Sequence, residues 1–240
     1  MLTCTRQTAG VGCVREEAQM ISAIVFDLDG LIVDTEQTSL RSWEEAYHEA
    51  GFELPLDLWR TTIGTWGADF DPAEDLGARR GRSLSFDEIE ARREREWELA
   101  SELPIMPGVL DHLDAAMAWD LPVGLASSSS RRWVMGQLER LGVVNRFECI
   151  CTRDDVLRTK PDPSLYFRAL LSLGVDGAEA IAYEDSLNGL MAAKAAGMRC
   201  IVVPGRLTAE MDYSTADVVV ESLASVDPRT LWDFIDAEYE

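Results

Sequence analysis

Two aspartates one residue apart, Asp27 and Asp29 in Asp27-Leu28-Asp29-Gly30, follow at once on the apolar run 22–26. Three further clusters of reactive side chains stand in comparable places: Ser127, Ser128 and Ser129 after the run 121–126, Lys160 in Thr-Lys-Pro-Asp-Pro, and Glu184 with Asp185 after the run 180–183. Taken singly, each has an ordinary structural use: a turn for Asp-x-Asp-Gly, a helix N-cap for the serines, a loop at Lys160-Pro161, an acidic helix start at Glu184-Asp185. Together they supply what phosphoryl transfer requires, which is an in-line nucleophile, a cation to neutralise phosphate oxygens, and donors at the developing charge. Asp27 can serve as nucleophile and metal ligand. Asp185 completes an all-oxygen set suited to Mg2+, and Glu184 ligates directly or through water. Ser127 and Lys160 then hold the phosphate.

These clusters need elements that bring them to one edge. Apolar runs at 22–26, 121–126, 147–151, 180–183, 200–203 and 217–220 are mostly continuous rather than alternating, as strands covered on both faces should be. Helical patterns at 109–117, 133–141, 164–173 and 186–196 lie between them, three of these trailed directly by Gly142, Gly174 and Gly197 as C-terminal signals. Strands alternating with helices of this length predict an α/β fold with a parallel, doubly wound sheet. Ligands of such sheets bind beyond the carboxyl ends of the strands, where all four clusters fall. The stretch from 35 to about 107 breaks the rhythm. Leu40, Trp43, Tyr47 and Ala50 recur at helical spacing, charged helical segments follow at 73–80 and 86–101, and no strand pattern is present, so this stretch reads as a helical insertion.

Composition excludes several classes. With 43 acidic against 22 basic residues the net charge is −21, which repels a phosphodiester backbone, so nucleic acid is not an expected partner. A small anion remains admissible, because local donors and a bound cation set the potential of a site. Cys4, Cys13, Cys149, Cys151 and Cys200 are sparse and odd in number, which fits a reducing cytoplasm. Cys149 and Cys151 read as packing residues on one side of a strand. No run reaches the length of a membrane span, and no membrane partner is expected. Residues 1–20 lack the apolar stretch of a secretory signal and read as a polar N-terminal extension.

The order DLDGLIVDTE (27–36), LASSSS (125–130), KPDP (160–163) and YEDSLNG (183–189) resembles the haloacid dehalogenase superfamily, in its branch of β-phosphoglucomutase-like proteins and small sugar-phosphate phosphatases. The resemblance runs from about residue 22 to at least residue 204. It implies a Rossmann-like core at 21–36 and 108–240 with a helical cap inserted at 37–107. It also implies roles: Asp27 the nucleophile, Asp29 the acid/base that protonates the leaving oxygen and then activates water, and the Asp29 main-chain carbonyl joining Asp27 and Asp185 around Mg2+. Ser127 and Lys160 match phosphate-binding positions, with backbone amides near Leu28 and Ser128 assisting. Dehalogenases proper lack an aspartate at the position of Asp29, so its presence implies phosphate chemistry on a small phosphorylated metabolite. The mutases of this branch carry a histidine at the position of Ser39 and Lys-Asn where this chain has Ser130-Arg131, so hydrolysis is expected over mutase activity. A phospho-accepting signalling receiver, which also uses an acidic cluster, a hydroxyl and a Lys-Pro, has no need of a long insertion.

The remaining candidates read as structural. His48 and His112 lie off or at the edge of the apolar faces of their helices. Trp43, Trp59 and Trp97 are expected to pack the insertion, whereas Gly64, Thr65 and Trp66 look like a loop overhanging the site and, with Ser39, are the candidate specificity residues. Arg79, Arg80, Arg82, Arg92, Arg93 and Arg95 alternate with acids and predict a solvated, salt-bridged face.

Overall fold

The computed structural model describes residues 21–67 and 69–237, so the N-terminal extension read from the sequence lies outside the described residues. Strand β1 (Ala23–Phe26) is central in a parallel sheet. β2 (Val123–Ala126) and β3 (Cys149–Cys151) extend it on one side, and β4 (Ala180–Glu184), β5 (Arg199–Val202) and β6 (Val218–Val219) on the other. The strand order β3-β2-β1-β4-β5-β6 reverses direction beside β1, which opens a crevice at the carboxyl ends of β1, β2 and β4.

Both faces of the sheet are covered. On one, Ile24 and Phe26 pack with α5 (Val109–Ala118), α6 (Arg131–Leu141) and α9 (Pro228–Ala237); on the other, Ala23 and Val25 pack with α7 (Ser164–Leu173) and α8 (Leu187–Ala195). This two-sided burial is why the strand segments are continuously apolar. Each fully buried Ile, Val or Phe contributes about 1.5–3 kcal/mol of transfer free energy, so β1 is anchored from both layers. Cys149 and Cys151 belong to the second layer, as the packing reading expects.

Helices α1 (Thr35–Glu49), α2 (Leu56–Arg60), α3 (Pro72–Arg80) and α4 (Phe86–Ser101) all fall between β1 and β2, and no strand lies among the described residues of that stretch. Their starts are locally encoded. Asp71 accepts from the N–H groups of Ala73 and Glu74 ahead of Pro72, and Ser85 with Glu88 forms a capping box. The insertion's own core is small: Leu40, Trp59 and Ile63, with Trp43, Leu54, Phe70 and Leu207 packed against them. The arginines pair as the sequence suggests, Arg79 with Asp75, Arg80 and Arg82 with Glu88, and Arg93 with Glu90. Arg92 departs from a purely solvated role, since its guanidinium stacks on the Trp43 ring at 4.5 Å.

His112 also differs from a helix-edge residue: it is fully buried, with Nδ1 2.8 Å from the Tyr183 hydroxyl and Nε2 3.3 Å from the Leu223 carbonyl. Trp232 donates its indole N–H to the same hydroxyl at 2.6 Å. The Leu223 carbonyl can only accept, so Nε2 carries the proton and Nδ1 accepts from Tyr183.

Candidate active site

Strand pairing places the first carboxylates. The Asp27 N–H donates to the Tyr183 carbonyl at 3.0 Å, which continues the β1/β4 ladder one residue past the strand and sets Asp27 beside Glu184 and Asp185. On the other flank the Ser127 N–H donates to the Cys151 carbonyl at 3.0 Å. Gly30, at φ 82°, turns the chain immediately after Asp29, and a Cβ there would lie 2.0 Å from an Asp185 carboxylate oxygen. Only glycine lets the loop and Asp185 approach this closely.

Asp27, Glu184 and Asp185 are all buried, with ligand atoms within 4.8 Å of one another. Lys160, whose side chain has no exposed surface, reaches in from the loop before α7; its ammonium pairs with Asp27 and lies 2.6 Å from Glu184. Glu184 also accepts from the Tyr166 hydroxyl. Burial pushes the Asp27 carboxyl up, Lys160 opposes this, and the charges of Glu184 and Asp29 push it up further. Asp185 is raised well above the usual carboxylate range, first by burial and then by Asp27, Glu36 and Glu184. For Lys160, burial works against the charged form, but Asp27 and Glu184 more than offset it.

Three carboxylates facing one ammonium leave an excess of buried negative charge. Asp185 Oδ1 is also buried without a hydrogen-bond partner among the described residues. An all-oxygen donor set with an orphaned buried oxygen fits a hard divalent cation.

Asp29 points away from this cluster. Its Oδ1 accepts from Thr35 Oγ1 at 2.5 Å and from Trp133 Nε1 at 2.8 Å, and its Oδ2 from Ser129 Oγ at 2.7 Å and Ser127 Oγ at 3.3 Å. The Ser127 hydroxyl, expected on phosphate, is thus directed at Asp29. Ser128 donates its hydroxyl to the Gly64 carbonyl at 3.0 Å, which leaves its main-chain N–H as the group to offer an anion.

The loop 61–66 sits over the same edge. Thr65 donates to the Lys160 carbonyl, Asn188 to the Ile63 carbonyl at 2.8 Å, and the Trp66 N–H to Thr159 Oγ1 at 3.1 Å, while Arg153 stacks on the Trp66 ring at 3.8 Å. The structure therefore brings Gly64, Thr65 and Trp66 to the site. Ser39, half-buried on α1, gives no side-chain hydrogen bond to these carboxylates among the described residues.

Sequence reasoning did not single out Glu36, Thr35, Trp133 or Tyr166. Glu36 closes the first motif and lines a small crevice with Gly30, Asp34, Asp185 and Arg206; burial raises its carboxyl to about 8, Asp29 adding to the rise and the Gly64 N–H opposing it. Thr35 and Glu36 end the quoted motif DLDGLIVDTE, which was the available signal. Trp133 carries none beyond its place three residues after the helix cap Ser130.

The comparisons agree with this architecture. Residues 24–203 match the family of haloacid dehalogenase-like hydrolases, and the chain belongs to that family. It is an enzyme, a hydrolase of phosphoric monoesters. It is 42% identical over 220 residues to YhcW of Bacillus subtilis, covering 91% of this chain and all of that one. It is 32% identical over 222 residues to hexitol phosphatase B of Escherichia coli, covering 89% and 97%. A crystal structure of CbbY from Rhodobacter sphaeroides in complex with phosphate superposes with a TM-score of 0.70 at 32% identity, covering 85% of this chain and 96% of CbbY.

Proposed function

We propose that the chain is a cytoplasmic, Mg2+-dependent phosphatase of small phosphorylated metabolites of the sugar-phosphate kind, working through an aspartyl-phosphate on Asp27. The observation that carries this reading is the separation of two acidic groups at one edge: a buried Asp27-Glu184-Asp185 cluster with Lys160, and, one residue beyond Leu28, an Asp29 held by hydrogen-bond donors outside that cluster. The names of the relatives support the substrate class, hexitol phosphatase B by its name and CbbY by its bound phosphate.

Asp27, Asp185 and the Asp29 main-chain carbonyl would hold the cation, with Glu184 joining them directly or through water. When bound, Mg2+ supplies the positive charge that offsets the phosphate oxygens. The Asp27 carboxylate attacks phosphorus in line, forming the acyl-phosphate bond as the ester oxygen departs. Asp29 gives that oxygen a proton, then takes one from water, which attacks the phosphorus and releases inorganic phosphate and the Asp27 carboxylate. Lys160 stays charged and neutralises the phosphorylated side chain, and the Ser128 N–H orients the phosphate together with the Ser127 hydroxyl, which would exchange its long 3.3 Å bond to Asp29 for a phosphate oxygen.

Residues 37–107 act as the cap, with the loop at Gly64, Thr65 and Trp66 setting specificity. With Ser39 standing where the related mutases carry a histidine, the phosphoryl group goes to water.

The test is a phosphate-release screen over several dozen phosphorylated metabolites, with Mg2+ and with EDTA. Release from a narrow set of sugar phosphates, lost on chelation, is expected. Undiminished release after thorough chelation would overturn the metal assignment, and conversion of β-glucose 1-phosphate into glucose 6-phosphate with little free phosphate would favour a mutase.

A further inference from the structure

Of the four side chains that donate to Asp29, three are hydroxyls and one is an indole N–H on a helix. Trp133 Nε1 lies 2.8 Å from Asp29 Oδ1, outside the Lys160 cluster. An indole N–H is a donor only and has one direction, so it fixes the carboxylate plane in a way a rotating hydroxyl does not. What fixes the indole is partly local: Ser130 caps α6 and accepts from the Trp133 N–H.

The rest of its support comes from the insertion. Trp97 of α4 meets the Trp133 ring edge-to-face, with centroids 5.1 Å apart and planes at 75°. Gly136, one helical turn beyond Trp133, leaves the room this requires, since a Cβ there would lie 2.2 Å from the Trp97 ring. A large, partly exposed aromatic is thus seated in a notch of α6 with its ring against the residue that holds Asp29. Its presence in the insertion is accounted for by this seam, because the insertion's own apolar cluster does not include it.

We propose that Trp133 is a positioning residue for Asp29, and that Trp97 holds Trp133 in register, so that the acid/base is aimed by a pair of rings spanning the insertion and the core. This rests on the reading of Asp29 as the group that protonates the leaving oxygen.

The experiment compares kcat/KM for phenyl phosphate and p-nitrophenyl phosphate with Mg2+ present. Phenolate is the stronger base and depends on protonation as it leaves; p-nitrophenolate depends on it far less. Asp29→Ala calibrates the assay and should lose at least about a hundredfold more on phenyl phosphate than on p-nitrophenyl phosphate. Trp133→Phe keeps an aromatic ring at this position but deletes the N–H together with the five-membered half of the indole, so the selectivity between the two esters, not the size of the loss, is the readout. This variant should lose about tenfold on phenyl phosphate and less than about threefold on p-nitrophenyl phosphate. Trp97→Ala should show the same selectivity, and Trp97→Phe should restore much of the loss. Equal losses on both esters in Trp133→Phe, or none on either, overturn the positioning role, whereas absence of selectivity in Asp29→Ala overturns the acid/base reading itself. Should Trp133→Phe fail to fold by circular dichroism, Trp97→Ala decides: selective loss supports the ring pair, and unselective or absent loss overturns it.

Discussion

Lys160 and Arg93 each hold a glutamate at the same distance, 2.6 Å, yet the two pairs live in different solvents. Lys160 and Glu184 have no exposed side-chain surface, while Arg93 and Glu90 keep 49% and 32% of theirs. In the first pair water cannot screen the charges, so each group depends on its partners and removing one strands the others. In the second, water already solvates both ions and the contact adds little. The distance between charges therefore says little about what an ion pair does here. The core edge spends its burial on holding like charges together, an arrangement that favours a cation and a phosphate. The insertion, whose apolar core is small, carries its ion pairs on exposed helix faces, where each adds little to stability.

The largest effect should come from Asp27→Asn. The amide is a poor nucleophile and a weak metal ligand, so phosphate release should fall below about a hundredth of the wild-type rate with unchanged circular dichroism. A metal-loaded variant releasing phosphate faster than that would contradict covalent catalysis at Asp27.

Lys160→Met sharpens the contrast directly. It leaves Asp27, Glu184 and Asp185 buried without their ammonium, which should cost about 3–5 kcal/mol, or roughly 10 °C in Tm for a chain of this size. Because the remaining excess is negative, added Mg2+ should recover more Tm in this variant than in the wild type, read by scanning fluorimetry. A variant as stable as the wild type without Mg2+ would show that the cluster is not held by its lysine.

Asp27 and Lys160 were legible in the sequence because phosphate chemistry constrains residue type and strand ends constrain place. Together with Glu184 and Asp185, each follows a continuously apolar run or its loop, and the parallel fold converts those positions into one edge. What was not legible depends on partners far along the chain. Trp133 reads only as the third residue of a capped helix, since nothing local reveals Asp29 104 positions earlier. His112 reads as a helix-edge residue because Tyr183, Trp232 and Leu223 close around it only in the folded core. Helix α2 has five residues, too few to show a period, and α9 is marked only by Pro228 ahead of Leu231, Trp232 and Ile235.

His112 offers a smaller effect with a definite sign. Burial holds its pKa below the ordinary value of 6.5, and the network uses it neutral, with Nδ1 accepting from Tyr183. Below about pH 6.5 the unfolded chain binds a proton that the folded chain refuses, so stability falls as pH is lowered through that value toward the depressed folded pKa. The slope is at most about 1.4 kcal/mol per pH unit. His112→Gln should flatten the fall in Tm between about pH 7 and pH 5, and equal slopes in both proteins would remove His112 from the acid response.

The smallest effect should be that of Arg93→Ala, and it tests the other half of the contrast. The pair with Glu90 spans a single turn of α4, where charges three residues apart contribute a few tenths of a kcal/mol at most. Arginine also has slightly lower helix propensity than alanine, which offsets part of that loss. Exposure on both sides means that salt screens what remains. Tm should therefore shift by less than about 1 °C at low ionic strength, and by less still in 1 M NaCl, where charges a few ångströms apart are already screened. Activity should not change, since the hydrogen bond and ion pair that Arg93 makes among the described residues go to Glu90 and not to the carboxylate cluster or the loop 61–66. A fall of several degrees that persists in high salt would mean that the exposed pairs of the insertion carry structure as the buried ones do, and that burial is not what separates the two regions.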